Sequence, residues 1–334
     1  MTLKMSDIAK IANVSKSAVS IAINGKDGIS EETRQKILRI ISEQGYTPLR
    51  KSRKDASQGI GEITFLVVTT SGVVQDDYRS LPFFNRLISA LSLDTSRLNG
   101  TLRTVTISAD NLADRLDKTV FSNGVLVLGT DLTKNQLLLI KKRLPKAVFL
   151  DTYFEDVVAD FVTMDNYQGA QLAGSYILEK GYHNIGYFAS ENLMSNFNER
   201  RRGFREALQS KGIKIENDNF YFISPTKLDP KGLDLRKLGS TLPEAIFCED
   251  DYIAIRLIKA AQKEGIRVPE DLAVMGFDDI FEGTLISPEL STIHVPIDQI
   301  ARQALTQLQG QLINDDWNPQ KTLVATTLVR RESL

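Results

Sequence analysis

The chain has 334 residues, 42% of them apolar and 25% charged, with one cysteine, two histidines and a formal net charge of −1. That length exceeds one ordinary domain, and the composition is that of a globular protein rather than a disordered or fibrous one. No apolar run approaches the ~18 residues of a membrane-spanning helix. No secretory pattern opens the chain and Cys248 has no partner for an internal disulfide, so a cytoplasmic location is expected.

Charge is unevenly spread. Residues 1–58 hold eleven basic and six acidic side chains, a net +5, which leaves −6 for the remainder. A basic head on an acidic body suits a chain of which only the head meets phosphates.

In that head, residues 5–24 have the pattern of a helix-turn-helix. Ser6 is the candidate N-cap of the first helix, Asn13-Val14 a break, and Ser15 the cap of a second helix over 16–23. Ile8, Ala9, Ala12, Val14, Val19 and Ile23 can close one small core. Lys16, Ser17 and Ser20 then point outward at the start of the second helix, where a recognition helix meets base edges. A third helix fits 31–44, capped by Ser30, acidic in its first turn, ended by Gly45 and lined inside by Ile37, Ile40 and Ile41.

Beyond a linker, short apolar strands alternate with amphipathic helices. Strands are expected at 63–69, 102–107, 124–128, 147–150, 161–164, 185–189, 220–223, 245–248, 272–277 and 322–329. Helices fit 83–98, 111–121, 134–143, 167–180, 198–211, 252–265 and 298–313. Such alternation argues for parallel sheets covered by helices on both faces. The expected fold is α/β: a three-helix head, then two doubly wound lobes with ligands bound at strand C-termini between them. The expected division is 1–48 for the head, 49–61 for a basic linker and 62–334 for the body. Within the body, an N-lobe takes 62–160 plus 291–320 and a C-lobe 161–290 plus 321–334. Trp317, in a polar stretch, reads as a packed loop anchor.

A set of short motifs runs in order along the chain. The head carries Ser6-Asp7-Ile8-Ala9, Val14-Ser15-Lys16-Ser17-Ala18-Val19-Ser20, Asn24, Thr33-Arg34 and Gly45-Tyr46-Thr47-Pro48. The body carries Met164-Asp165-Asn166, Gly181-Tyr182-His183-Asn184, Arg200-Arg201-Arg202-Gly203-Phe204, Val268-Pro269-Glu270-Asp271, Gly276-Phe277-Asp278-Asp279 and Leu328-Val329-Arg330-Arg331-Glu332-Ser333. With these the chain resembles the lactose/galactose repressor (LacI/GalR) family of bacterial transcription regulators over nearly its whole length. The resemblance implies a homodimer whose heads read a near-palindromic double-stranded operator. It also implies a body like periplasmic sugar-binding proteins that senses a small metabolite. The DNA-binding set is then Ser6, Ser15, Lys16, Ser17, Ser20, Ile21, Asn24 and Thr33 in the head, and Arg50, Lys51, Arg53 and Lys54 in the linker.

Three departures from the family pattern bear on function. Asn13 replaces a usual turn glycine and tolerates the same left-handed backbone. Ile21 stands where arginine is common, which exchanges a bidentate guanine contact for an apolar one, as with a thymine methyl. Asp55 stands where the family's hinge leucine wedges into the minor groove, so weak DNA bending or none is expected.

Carried over by position, the effector site comprises Thr70 and Ser71, Phe83 and Phe84, Asp151, Arg200, Asp250 and Asp278. Charged planar groups that bridge hydroxyls, beside an aromatic face, are carbohydrate chemistry. Three acids against one base disfavour a phosphorylated ligand and favour a neutral sugar. Asp250 and Asp251 could instead cap the following helix, Asp278 could cap a turn, and Asp250 is where the family often has Asn. No catalytic or metal-binding constellation is expected. His183 and His294 have no His or Cys neighbour at ligand spacing, no phosphate loop or nucleophile elbow occurs, and Cys248, followed by Glu249, Asp250 and Asp251, reads as inert. No cofactor is implied, and no heptad tail suggests a tetramer. The leading reading is a ligand-responsive regulator of carbohydrate genes, with repressor and activator both open and a phosphoprotein partner conceivable. The alternatives are a sugar-binding protein without regulatory function and an α/β enzyme using Glu249, Asp250 and Asp251 to hold Mg²⁺.

Overall fold

A computed structural model describes residues 5–23, 27–44, 59–226, 233, 235 and 242–334. Its contacts divide the chain into two units, Met1–Gly61 and Glu62–Leu334.

The first unit holds helices α1 (Met5–Ala12), α2 (Lys16–Ile23) and α3 (Glu31–Glu43). Ile8, Ala12, Val19 and Ile37 are buried at its centre, with Val14, Ile23, Ile40 and Ile41 packed around them. Asn13 takes φ 53°, and the amides of Asn13 and Val14 donate to the carbonyls of Lys10 and Ala9. That is the left-handed C-cap in which glycine is usual and Asn is tolerated. Ser15 Oγ accepts the Ala18 amide at 3.1 Å and Ser30 Oγ that of Thr33 at 3.2 Å, so both expected caps form. Ser6 is not a cap, because α1 already includes Met5 and Ser6 sits within its first turn. Gly45, expected to end α3, and the linker residues 46–58 lie outside the described residues.

The second unit contains two sheets. Six strands, β1 (Gly61–Thr69), β2 (Gly100–Ser108), β3 (Gly124–Leu128), β4 (Ala147–Leu150), β5 (Asp160–Met164) and β11 (Lys321–Val324), lie in the order β11-β5-β4-β3-β1-β2. Helices α4 (Pro82–Arg97), α5 (Leu112–Lys118), α6 (Lys134–Arg143) and α10 (Ile297–Ile313) belong to this N-lobe. The C-lobe sheet is β7 (Phe220–Ile223), β6 (Ile185–Ser190), β8 (Ala245–Cys248) and β9 (Ala273–Met275), in that spatial order. It carries α7 (Asn166–Glu179), α8 (Ser195–Gln209) and α9 (Asp251–Lys263). A short antiparallel pair, β10 (Thr292–His294) with β12 (Thr327–Val329), bridges to β9 through Ser291 and Met275.

Both sheets are parallel in every described pairing outside β10–β12; β1, β3, β4, β5, β6, β8 and β9 are almost continuously buried, as two-sided sheets require, while the edge strands β2, β7 and β11 are largely half-buried or exposed. The expected lobe boundary is corrected at two strands. β5 pairs with β4 on one side and with β11 on the other, so both complete the N-lobe sheet instead of belonging to the C-lobe. The expected strand at 322–329 is really two, β11 and β12, one in each lobe's region. β10 has only three residues, too few for alternation to reveal it. Trp317 does act as an anchor: its indole donates to Asp160 at 3.0 Å and its ring covers Gly310. Among the described residues no helix is long and apolar enough to cross a membrane.

Helices α7 and α8 pack so closely that a Cβ on Gly203 would collide with the Tyr167 carbonyl. Gly203→Ala is therefore expected to destabilise the body by about 1–3 kcal/mol, read as a lowered denaturant midpoint.

Candidate functional site

Loops after β3, β4, β8 and β9, with the first turns of α4, α8 and α9, enclose a cavity of about 50 Å³ between the lobes. That is room for about three or four waters. It falls well short of the ~300 Å³ of ordinary small-molecule sites, so a sugar-sized ligand requires the lobes to part.

A hydrogen-bonded chain of side chains crosses this seam. On the N-lobe, Thr130 Oγ1 donates to Asp151 Oδ2 at 2.5 Å. The amide nitrogen of Asn196, on α8 in the C-lobe, donates to Asp151 Oδ1 at 2.8 Å. Asn166 Nδ2 donates to Asn196 Oδ1 at 3.1 Å and its Oδ1 accepts from Arg200 Nε at 2.8 Å. Arg200 also donates to the Glu249 carbonyl at 2.5 Å and to Asp278 Oδ1 at 3.1 Å, with its guanidinium 3.7 Å from the centre of the Phe277 ring. A second link joins the lobes where the Tyr252 hydroxyl accepts the Phe83 amide at 3.2 Å.

Of the expected effector residues, Phe83, Phe84, Asp151, Arg200, Asp250 and Asp278 line the cavity. Thr70 and Ser71 do not; they border a larger open crevice of about 1120 Å³ that N-lobe loops share with Glu191, Asn192 and Leu193 of the C-lobe. Thr70 there shapes its own loop, donating to Asp131 at 2.7 Å while Asp131 also accepts the Val74 amide at 2.6 Å. Asp250 has both of the roles open to it: it lines the cavity and caps α9 by accepting the Ile253 amide at 2.8 Å. Asp251 is turned elsewhere, to the Ile280 amide and the Thr292 hydroxyl. Asp278 caps no turn but pairs with Arg200. Its φ of 118° and the 56° of Asp151 are unusual for non-glycine residues, and such strain concentrates at ligand sites.

The head presents its own surface. Lys16 and Ser17 are exposed at the first turn of α2, and Ser15, also exposed, has its hydroxyl engaged in capping. Ser6, Ser20, Ile21 and Thr33 are half-buried, and the Thr33 hydroxyl lies 2.8 Å from that of Ser30. Asn24, Arg50, Lys51, Arg53 and Lys54, with Asp55, lie outside the described residues.

Residues 4–48 match the family described as bacterial regulatory proteins, lacI family, and residues 175–334 match a periplasmic binding protein-like domain. The ribose operon repressor of Haemophilus influenzae is 31% identical, covering 99% of this chain and 98% of that protein. This chain belongs to the lacI family. It is a DNA-binding transcriptional repressor of that family. Among solved structures, the CelR–cellobiose complex superposes with a TM-score of 0.70 at 22% identity over 99% of both chains. The lac repressor dimer bound to operator and an anti-inducer superposes with a TM-score of 0.70 at 17% identity, over 100% of this chain and 99% of that one.

Sequence reasoning missed Thr130, Asn166, Asn196 and Tyr252 in this lacI-family cleft. Asn166 was legible as part of a family motif, and Asn196 escaped because α8 starts at Ser195, one turn ahead of the expected helix. Thr130 and Tyr252 carried no local signal.

Burial in the seam raises the proton affinity of its acids. It pushes Asp151 up to about 6 and Asp278 up to about 7, against donors and Arg200 that pull each down. Asp250 is pushed well above the ordinary carboxyl range by burial and by Asp278. Burial also drives Cys248 well above a normal thiol, with Asp250 adding to the effect, which makes it a poor nucleophile. Below pH 3.8 these acids are protonated in folded and unfolded chains alike; above it only the folded chain retains the protons. Their contribution to stability is therefore lost as pH rises through about 4 to 7. Asp250→Asn keeps the cap and removes one such group. Its Tm should exceed that of the wild type by a margin that widens from pH 5.5 to pH 8, by about 2–4 °C for each kcal/mol of relief, in calorimetric melts.

Proposed function

We propose that two copies of this chain bind a near-palindromic operator and repress carbohydrate-utilisation genes, and that a small unphosphorylated carbohydrate bound between the lobes modulates that binding. The observation that carries the reading is the Asp151–Asn196 bond inside a cavity whose walls come from both lobes. A ligand there contacts both lobes at once, so its affinity depends on how they are arranged. Differential affinity of that kind is what shifts a two-state equilibrium. The lac repressor dimer and the CelR–cellobiose complex, the one bound to operator and the other to a sugar, lend the same reading support by their shape. So does the ribose operon repressor by its sequence. A cytoplasmic location belongs to the same reading.

Contact with DNA is assigned to the α2 surface. Lys16 and Ser17 are exposed at its first turn, where an ammonium meets phosphate and a hydroxyl meets phosphate or base edge. Ile21, half-buried in the second turn of α2, offers only apolar contact, so discrimination at its base pair is weaker than a bidentate arginine provides. The basic linker is assigned to the DNA backbone, with little bending.

Fluorescence anisotropy on the DNA upstream of the gene, across salt and a sugar panel, tests this. One fragment should bind tightly with a steep salt dependence, and one sugar should change the affinity. Lys16→Ala should weaken binding to all sequences alike and reduce the salt slope by about 1. Binding that never exceeds the non-specific level at any salt would overturn the operator reading.

A further inference from the structure

We propose that the trough between α8 and the edge strand β7 is a docking site for a protein partner, which lays along it an extended segment of alternating acidic and apolar residues. The proposal is independent of what occupies the cleft between the lobes.

β7 ends the C-lobe sheet, with β6 on one side and no strand on the other among the described residues. Its side chains alternate. Tyr221 and Ile223 pack into the apolar core on the α9 side, while Phe220 and Phe222 turn to the α8 side with ring centres 5.3 Å apart. The Ile223 carbonyl accepts the amide of Glu191, which follows β6. Backbone groups also alternate along a strand, so the N–H and C=O of Phe222 face the open edge, where an added strand would meet them. Phe222 is 60% exposed, and a large apolar side chain at a sheet edge is a surface that folded proteins normally blunt or cover.

The facing wall is one stripe of α8, from Asn198 to Gln209 at helical spacing. Two adjoining hollows of about 470 and 460 Å³ share Arg205, Gln209, Phe220 and Phe222, so they form one open trough. Its wall runs for about 16 Å, the length of about five residues of extended chain, which suits a peptide segment better than a compact metabolite. Charge then selects the peptide. The lining carries four cations, Arg201, Arg202, Arg205 and Lys214, against one carboxylate, Glu206; Glu216 and Asp218, just before β7, lie outside it. Arg201 is paired with Glu249 and Arg202 with Glu199. Arg205 and Lys214 are exposed and form no ion pair among the described residues, and the Arg205 guanidinium lies 5.1 Å from the centre of the Phe220 ring. Two uncommitted cations above an aromatic floor match carboxylates that flank an apolar side chain. A nucleic acid strand, charged at every unit, would be repelled by a body that nets −6 beyond residue 58. The same face of a second copy would set Arg205 and Lys214 against their own kind.

The test is selection of a displayed library of random peptides on the full-length protein, followed by fluorescence anisotropy of the enriched peptides. These should alternate acidic and apolar residues, and their affinity should fall several-fold as salt rises from about 50 to about 300 mM. The double variant Arg205→Glu with Lys214→Glu should weaken them about tenfold or more, and Phe222→Ser by a similar factor, while both variants keep a cooperative thermal melt. No enrichment, enrichment of neutral or basic sequences, or binding untouched by these substitutions would overturn the proposal. So would a single-stranded RNA oligonucleotide that binds more tightly than the peptides and is lost in the same variants. A fall in oligomeric state on Phe222→Ser, seen in sedimentation, would overturn it too and make the trough a contact between copies.

Discussion

The body depends on the burial of one guanidinium. Arg200 is 3% exposed at the seam between the lobes, and a buried charge is tolerated only when its donors are matched and its charge is balanced. Its partners come from separate parts of the chain: Asn166 opens α7, the Glu249 carbonyl follows β8, and Asp278 and the Phe277 ring follow β9. One side chain thereby fixes the loops after β8 and β9 of the C-lobe and the start of α7. Through Asn166, Asn196 and Asp151 the same constraint reaches the N-lobe. Removing any member leaves a buried group unpaired, so the chain of bonds forms as a unit.

This makes lobe closure a discrete event. Of the bonds that cross the seam, those from Asn196 to Asp151 and from Phe83 to Tyr252 lie in or beside the cavity a ligand would enter. The chain passes between lobes near residues 165, 296 and 325, where β5 meets α7, β10 meets α10 and β11 meets β12. Under the proposed function, occupancy of the cleft is transmitted through a rearrangement of rigid lobes, and short connections at a polar seam suit that task.

A neighbouring pair explains why the acidic run after Cys248 is not a magnesium site in waiting. Glu249 receives Arg201, the Tyr187 hydroxyl and the Ser190 amide. Asp251 receives Thr292 and Ile280. Adjacent in sequence, the three acids point to three different jobs: holding α8 to the sheet, lining the cleft, and fastening the loop after β9. Three consecutive carboxylates read alike in a string of letters; the alternation of directions at the end of a strand separates them.

The sequence by itself determined the helix-turn-helix and the alternation of strands and helices. Each of those rests on local physics: caps such as Ser15 and Ser30, a left-handed Asn13, and apolar periodicity in the strands. The cleft positions came from the family resemblance instead, and six of the eight it named line one cavity. Only the tertiary structure decided where the lobes divide, because β5 and β11 choose their sheet by pairing with distant strands. It alone showed that Thr70 is engaged with Asp131 outside the cavity, and that Asn166, Asn196 and Tyr252 stand within or against it. Above all, the pairing of charges in the cleft could not be read from a count of acids and bases. It depended on which carboxylate Arg200 reaches, and that is set by contacts between residues 78 positions apart.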